Sequence, residues 1–425
     1  MSVGLQRIRD DADAIRAGAI AKGEDGALVD AALDADVRRR QLSGEVDNLR
    51  AQRKDVSGRM GAALKAGTPD AETLRAESRD LGERIDALDG ELTALETQLE
   101  GMLLRIPNPP DPDVPVGTPE ATTTVREWGE PMPHDAGGWQ RKPHWEIAEN
   151  LGMLDLAAGA KIAGTGFPLY RGAGAALQRG LINLMLDLQS REGGMTEIWP
   201  PAVVNQDSAR GTGQIPDKEG QMYVGTREDL YLVPTAEVPV TNIHRDEIIE
   251  AARLPIRYVA YTPCFRREAG AAGKATRGIL RVHQFDKVEM VSFTRPEESA
   301  TELERMTGRA EAALQLLGLT YRVRLLSTGD MGFTQAKTYD IEVWAPGVQE
   351  WLEVSSVSNF RDFQARRMNI RWRPAAGGKP EILHTLNGSS LGFPRTVAAL
   401  LETYQQADGS VALPEPLASR VGALG

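Results

Sequence analysis

The chain has 425 residues, 26% of them charged and 41% hydrophobic, with a formal net charge of −11. That length predicts two or three domains. The acidic balance argues against general polyanion binding but leaves room for a local basic stripe, and a single cysteine, Cys264, excludes an internal disulfide framework and a cysteine-built zinc site. No apolar run approaches the ~18 residues of a membrane span. The opening "MSVGLQRIRDDADAIR" lacks the apolar core of a secretory signal. A soluble, cytoplasmic protein with no membrane partner is expected.

The first predicted elements are two long helices over about residues 28–104. Leu74, Leu81, Ile85, Leu88, Leu92, Leu95, Leu99 and Met102 recur at alternating steps of three and four, which is a heptad seam. Leu28, Ala32, Ala35, Leu42, Val46, Leu49, Val56 and Met60 follow the same rule, interrupted by Arg39 and Arg53. "KAGTPD" (Lys65 to Asp70) breaks the run with Gly and Pro. Two helices joined by so short a turn run antiparallel, giving an arm ~50 Å long at about 1.5 Å per residue. Residues 30–65 carry eight Lys/Arg and six Asp/Glu, whereas residues 70–100 carry three Arg and ten Asp/Glu. Arg38, Arg39, Arg40, Arg50, Arg53 and Lys54 mark the outgoing helix. They form either the solvated face of a coiled coil or a lever that presents cations to a phosphate backbone.

Arg105 to His144 contains nine prolines, so this segment is a linker or an extended wrap and marks a domain boundary. The pattern then becomes mixed. "GAALQRGLINLMLDLQSRE", "PEESATELERMTGRAEAALQLLG" and "PRTVAALLETYQQ" read as helices. "TEIWPPAVV", "DLYLVPTAEVPV", "IRYVAYTPCFRRE", "RVHQFDKVEMVSF", "YRVRLLS", "TYDIEVWAP" and "WLEVSSVS" read as strands. Strands cluster without regular βαβ alternation, so an α+β domain on an antiparallel sheet flanked by helices is expected. The expected boundaries are 1–104 for the helical arm domain, 105–143 for the Pro-rich segment and 144–425 for the mixed α+β domain.

"CFRREAGAAGKATRGILRVHQF" (Cys264 to Phe285) concentrates cations and glycines in a short space. It is not a Walker loop: Glu268 stands where the first glycine belongs, and Ala275 follows Lys274 in place of Ser or Thr. It reads as strand, glycine-rich loop, strand. Arg266 and Arg267 suit phosphate, Glu268 an exocyclic amine, and Phe285 the face of a base. The bland alternative is a hairpin with surface arginines. Glu289 of "DKVEM" lies on an apolar strand, where an unpaired charge is costly; either a ligand satisfies it, or Lys287 or a nearby arginine does.

"FRREAGAAGKATRGILRVHQFDKVEM" resembles motif 2 of class II aminoacyl-tRNA synthetases in the form found in seryl-tRNA synthetases. "GTGQIP", "LVPTAEVPVTN", "WLEVSSVSNFRDFQARR" and "TLNGSSLGFPRTVAALLETYQQADGSVALPEPL" are similar to the same family, the last as motif 3, and "TEIWPPAVVN" resembles the end of motif 1. The resemblance covers essentially the whole chain. It implies activation of serine with ATP and transfer to tRNA(Ser), with tRNA(Sec) a further acceptor where present. It further implies Mg²⁺, a homodimer and an N-terminal tRNA-binding arm.

By this resemblance Arg266 would contact the ATP α-phosphate and the serine carboxylate. Arg267, Glu268, Val282, Phe285, Glu353, Val354, Ser355, Ser356 and Arg395 would complete the ATP site, with Arg395 on the leaving pyrophosphate. Glu353 and Ser356 would ligate Mg²⁺. Thr235, Ala236, Glu237, Glu289 and Ser389 would form the serine pocket. "AGAAGKATRG" would face the tRNA acceptor end. Two departures stand out: Ser390 replaces the second glycine of the family's "NGSG", and Arg267 replaces a common serine. The five histidines show no metal-ligand spacing, unlike the zinc-dependent branch of the family. Rival readings are an amino acid ligase that charges a carrier protein, a catalytically dead paralogue, and a coiled-coil scaffold, the last of which explains only residues 28–104.

Overall fold

The computed structural model describes residues 3–217, 220–269, 277–374, 377–422 and 424. The loop expected to face a tRNA acceptor end lies largely outside the described residues. The chain divides into two units, Met1–Pro107 and Asn108–Gly425.

The first unit is helical: α1 (Leu5–Asp10), α2 (Ala12–Ala21), α3 (Ala27–Ala66) and α4 (Asp70–Arg105). Helix α3 has 40 residues, so it is ~60 Å long and longer than the sequence predicts. It ends on Gly67, whose φ of 65° is left-handed. The Thr68 N–H donates to the Ala63 carbonyl and the Gly67 N–H to the Leu64 carbonyl, so the final carbonyls of α3 are satisfied before Pro69 starts the return. The heptad seam holds. Leu42, Val46, Leu49 and Val56 are buried, as are Leu74, Leu81, Ile85 and Leu99 of the returning helix. At its base the buried residue is Val29, not Leu28. There α1 and α2 pack on α3 and bury Ile8, Ile15 and Ala19, which turns the apolar face. The two arginines that interrupt the seam are accommodated rather than buried. Arg39 pairs with Asp36, and the Arg53 guanidinium lies against Gly82, where a Cβ would come within 3.2 Å of it.

The second unit carries, in chain order, β1 (Thr123–Trp128), α5 (His144–Asn150), α6 (Leu156–Ala163), α7 (Ala173–Asp187), β2 (Thr196–Ile198), β3 (Val203–Asn205), α8 (Gln206–Thr212), β4 (Val224–Gly225), β5 (Leu230–Leu232), α9 (Glu237–Thr241), β6 (Ile248–Glu250), β7 (Ile256–Phe265) and β8 (Gln284–Thr294). There follow α10 (Ser299–Leu316), β9 (Tyr321–Leu325), β10 (Lys337–Ala345), β11 (Glu350–Arg361), α11 (Phe363–Arg367), β12 (Arg371–Arg373), β13 (Glu381–Ile382), β14 (His384–Gly392), α12 (Phe393–Tyr404) and α13 (Glu415–Val421). Eight strands form the main sheet in the order β1-β9-β10-β11-β14-β8-β7-β2. Its pairs are antiparallel except at the β2 edge, where β2 runs parallel to β7.

Strand β8 shows how the sheet separates core from site. Val288 and Met290 join the large core built with α7, α10 and α12, through Leu181, Met306 and Leu400 among others. Val291 and Phe293 belong to a second cluster with Ala365, Met368 and Trp372. Lys287 and Glu289 share the face of Val291 and Phe293, because side chains alternate along a strand.

Three sequence expectations change. "TEIWPPAVV" is two strands in different sheets, β2 and β3, because Pro200 and Pro201 interrupt the run. "DLYLVPTAEVPV" is strand β5 followed by helix α9, with Pro239 in the first turn, where its missing N–H costs nothing. Strand β14, the neighbour of β8, comes from "HTLNGSSLG", which reads as a motif and not as a strand. Within the Pro-rich segment, β1 pairs with β9 at the sheet edge, and the Asn108 amide donates to the carbonyls of Thr334 and Phe360. Among the described residues, no helix is long and apolar enough to cross a membrane.

Candidate active site

A cavity of about 590 Å³ opens on the face of β8 that carries Lys287 and Glu289. It gathers Thr235, Glu237, Arg266, Glu268, Val282, Phe285, Glu289, Glu353, Val354, Ser355, Ser356, Ser389 and Arg395, thirteen residues scattered over 161 positions of sequence. Two expected members are not on its wall. Ala236 is fully buried behind it. The Arg267 side chain is exposed outside it, and its backbone N–H pairs with the Gln221 carbonyl.

One end of the cavity is acidic and enclosed. Glu289 is 1% exposed and accepts a hydrogen bond from Ser389 Oγ at 3.2 Å, across the β8–β14 pair that sets the two residues opposite each other. Lys287 also contacts the same Glu289 oxygen, Oε2, and donates to Thr235 Oγ1 at 2.9 Å. Thr235 Oγ1 accepts the Glu237 N–H as well, at 3.2 Å. Gln364 holds Glu237 from behind: its Nε2 donates to Glu237 Oε1 at 2.6 Å and to the Thr212 carbonyl at 3.3 Å, while its Oε1 accepts from Thr385. A carbonyl can only accept, so the amide orientation is fixed. Burial, and after it the charge of Glu289, pushes Glu237 up to about 7. The Asn387 side chain is buried on the cavity wall, where it helps to lower the Glu237 carboxyl against the effect of burial.

The ladder is irregular here for a reason. Between Ser389 and Gly392 the register slips, and Leu391 takes a φ of 92°. This bulge lets Ser389 on β14 and Pro394 and Arg395 on the following helix α12 all reach the cavity. Gly388 is needed because a Cβ there would lie 2.8 Å from Val357 of the neighbouring strand. Ser390, the departure from the family pattern, points away from the cavity and accepts from Gln189 Nε2 at 2.7 Å.

The other end carries cations and an aromatic face. The Arg266 guanidinium lies 5.3 Å above the Phe285 ring, and its Nε donates to the Pro234 carbonyl. Glu268 sits at a φ of 48° and pairs with Arg281 at 3.1 Å; a left-handed glutamate is a strained placement of the kind found at ligand sites. Arg395 donates to Glu353 through the backbone carbonyl at 3.0 Å and the carboxylate at 3.3 Å. Ser355 Oγ donates to the Ser389 carbonyl. Asp340 of β10 faces Ser356 of β11. Burial and the nearby Glu353 raise the Asp340 carboxyl well above its usual range, and its Oδ1 has no hydrogen-bond partner among the described residues. Two carboxylates and a hydroxyl with an orphaned oxygen make a hard-donor set that suits a hydrated divalent cation.

Sequence reasoning missed Gln364, Asn387, Arg281 and Asp340, and weighed Lys287 only as a partner that would satisfy Glu289. Lys287 was legible: two residues before Glu289 on a strand is the same face. The others reach the site through pairings no local pattern reports. In the arm, Arg38 pairs with Glu91 and Arg50 with Asp89, across the hairpin, while Arg40 pairs with the buried Asp36. These arginines and Lys54 belong to the first unit, and Arg38, Arg40, Arg50 and Lys54 stay exposed.

The fold and cavity are those of a class II aminoacyl-tRNA synthetase. Residues 223–404 match the tRNA synthetase class II core domain of the G, H, P, S and T group. Residues 4–110 match the seryl-tRNA synthetase N-terminal domain, and the chain belongs to the seryl-tRNA synthetase family. It is 52% identical to a serine–tRNA ligase of Thermomicrobium roseum over 98% of this chain and 93% of that one. A serine–tRNA ligase of Gemmatimonas aurantiaca is also 52% identical, over 97% of both chains. The crystal structure of the Pyrococcus horikoshii seryl-tRNA synthetase complexed with ATP superposes with a TM-score of 0.93, at 37% identity over 99% of each chain.

Proposed function

We infer that this cavity is where the chain, a serine–tRNA ligase, joins serine to ATP as seryl-adenylate before passing the seryl group to the 3′ end of tRNA(Ser), and to tRNA(Sec) where that is present. A serine carboxylate oxygen attacks the α-phosphorus, and the bond to the β,γ-pyrophosphate breaks. Two anions must approach each other, so the forked Arg266 cation between them offsets their repulsion and the charge that develops. Phe285 offers its ring to the adenine and Glu268 a carboxylate to its amine, with Val282 beside them. Arg395 takes the leaving pyrophosphate. Glu353 and Ser356 would hold Mg²⁺, with Asp340 close by, and the ion would supply screening of the phosphate charge. At the acidic end, Glu289, Ser389, Thr235 and Glu237 surround the ammonium and hydroxyl of serine. No protein nucleophile takes part; the rate comes from positioning and electrostatics.

The observation that carries this reading is that nucleotide-suited and amino-acid-suited groups line one cavity, with Arg266 among them. Serine-dependent exchange of pyrophosphate into ATP tests it. Exchange with serine is expected, and no exchange with any amino acid overturns the reading. Charging of tRNA(Ser) then separates it from a carrier-protein ligase.

Residues 1–104 are the tRNA-binding domain, with Arg38, Arg39, Arg40, Arg50, Arg53 and Lys54 following the phosphate backbone of tRNA by shape. The catalytic domain is residues 144–425, with β1 of the Pro-rich segment added to its sheet beside β9. The protein is cytoplasmic and a homodimer; what supports the dimer is that Trp199 and Ile162, large apolar side chains, are left 76% and 74% exposed.

A further inference from the structure

Lys287 is the one buried cation in the acidic end of the cavity among the described residues. It is 7% exposed, on a strand whose next residue on the same face is Glu289. Lysine is seldom buried so deeply unless it is paired. Its ammonium touches two other groups that matter to the pocket: Glu289 Oε2, and Thr235 Oγ1 at 2.9 Å. Thr235 Oγ1 also accepts the Glu237 N–H, so Lys287 ties strand β8 to the turn that carries both Thr235 and Glu237. The contacts to Glu289 from Lys287 and Ser389 both fall on Oε2. The second oxygen, Oε1, makes no hydrogen bond among the described residues.

Charge leads to the same place. Two carboxylates, Glu237 and Glu289, face one enclosed space. Of the titratable groups on the elements packed around Glu237, Glu289 and Lys287 of β8 are the ones that act on it; Gln364 of α11 and Asn387 of β14 are neutral. Cys264 and Arg266, at the end of β7, adjoin Lys287 and Glu289 from the other side. With both carboxylates ionised, Lys287 leaves a net charge of one negative unit, which a single ammonium neutralises.

We propose that Lys287 is a positioning and specificity-determining residue of the amino-acid pocket: it locks Glu289 with one oxygen turned to the substrate and cancels one of the two buried carboxylate charges. The proposal rests on the reading of this cavity as the serine-activation site. Lys287 itself does not touch the reacting atoms. Its work is to hold the carboxylate that distinguishes a hydroxyl from a methyl group, and a site that loses that geometry loses its strongest lever against alanine.

The test uses the full-length protein in ATP–pyrophosphate exchange. Wild-type exchange with serine comes first; if it is absent, the reading of the cavity fails, independently of Lys287. Lys287→Gln keeps a hydrogen-bond donor to Thr235 but removes the charge. Its KM for serine is expected to rise about tenfold or more while its KM for ATP is unchanged, with preference for serine over alanine falling in parallel. The pH midpoint of the serine KM is expected to move upward, because a positive neighbour of Glu237 is gone. Lys287→Arg, which restores charge, is expected to recover part of the loss. The proposal is overturned if Lys287→Gln raises both KM values alike, lowers only kcat, or leaves the pH midpoint where it was. If Lys287→Gln does not fold, Lys287→Arg decides: a serine KM and pH midpoint close to wild type support the proposal, and a KM for ATP raised as much as that for serine overturns it.

Discussion

Glu237 is the residue at which burial and recognition meet. Removed from water and faced by Glu289, its carboxyl is pushed up to about 7. An ammonium binds the ionised form, so the KM for serine in exchange is expected to fall by about an order of magnitude between roughly pH 6 and pH 8. Glu237→Gln should show a higher KM that is flat across the same range; a wild-type profile without slope would remove Glu237 from serine binding. The same shift has a stability sign. The folded chain holds this proton more tightly than the unfolded one, so Glu237 favours folding least once pH has risen through its folded value. Between about 4.5 and 7 the wild type should therefore lose thermal stability relative to Glu237→Gln as pH increases.

Among the elements, strand β14 bears most directly on the site. It lies in the middle of the sheet, between β11 and β8, with only its last residue, Gly392, not fully buried. Gly388 faces Val357, itself completely buried, so an added methyl group has nowhere to go. Gly388→Ala is expected to cost about 1–3 kcal/mol, measured as a lower melting temperature; unchanged stability would mean that β11 can yield there. This strand also shows what the sequence could not reveal. The heptad seam of α3 and α4 and the apolar runs of β7 and β8 are local patterns, and they were legible. "LNGSS" is poor in strand-forming residues, because its glycine answers to a neighbour 31 residues away. The "PTAEVPV" run has the composition of a strand, yet α9 forms there because Val238 and Val240 find buried places from a helix. The same limit held for the site. Arginines, glutamates and Phe285 declared themselves by type and motif, whereas Asn387 and Asp340 gain meaning only from cross-strand register, and Gln364 only from the packing of α11 behind Glu237.

For the whole molecule, the chain divides at Pro107 into two units, and the proposed function gives each its own task. The cavity draws all its residues from the second unit, so adenylate chemistry needs nothing from the hairpin. Deleting about residues 38–92 is expected to abolish tRNA charging and spare serine-dependent exchange; charging that survives would give the arm another role. Assembly is a second property of the whole. Trp199, packed edge-on to Tyr261 at 5.8 Å, offers an apolar surface that a monomer would leave in water. If the proposed homodimer forms through this surface, Trp199→Glu is expected to shift the sedimenting species from dimer toward monomer; an unchanged mass would remove Trp199 from the contact, and a monomeric wild type would overturn the dimer.

The bulge at Leu391 carries a lesson for anyone who would simplify this chain. Ladder pairing alone would set Leu391 opposite Lys287; the extra residue sets Gly392 there instead. Loss of one codon at this point would yield a more regular strand, with no left-handed leucine and no unpaired rung. It would also draw Pro394 and Arg395 back by about one residue's rise, ~3.4 Å. A more ideal sheet and a working pocket are therefore alternatives at this position, and automated idealisation of the backbone would choose the wrong one.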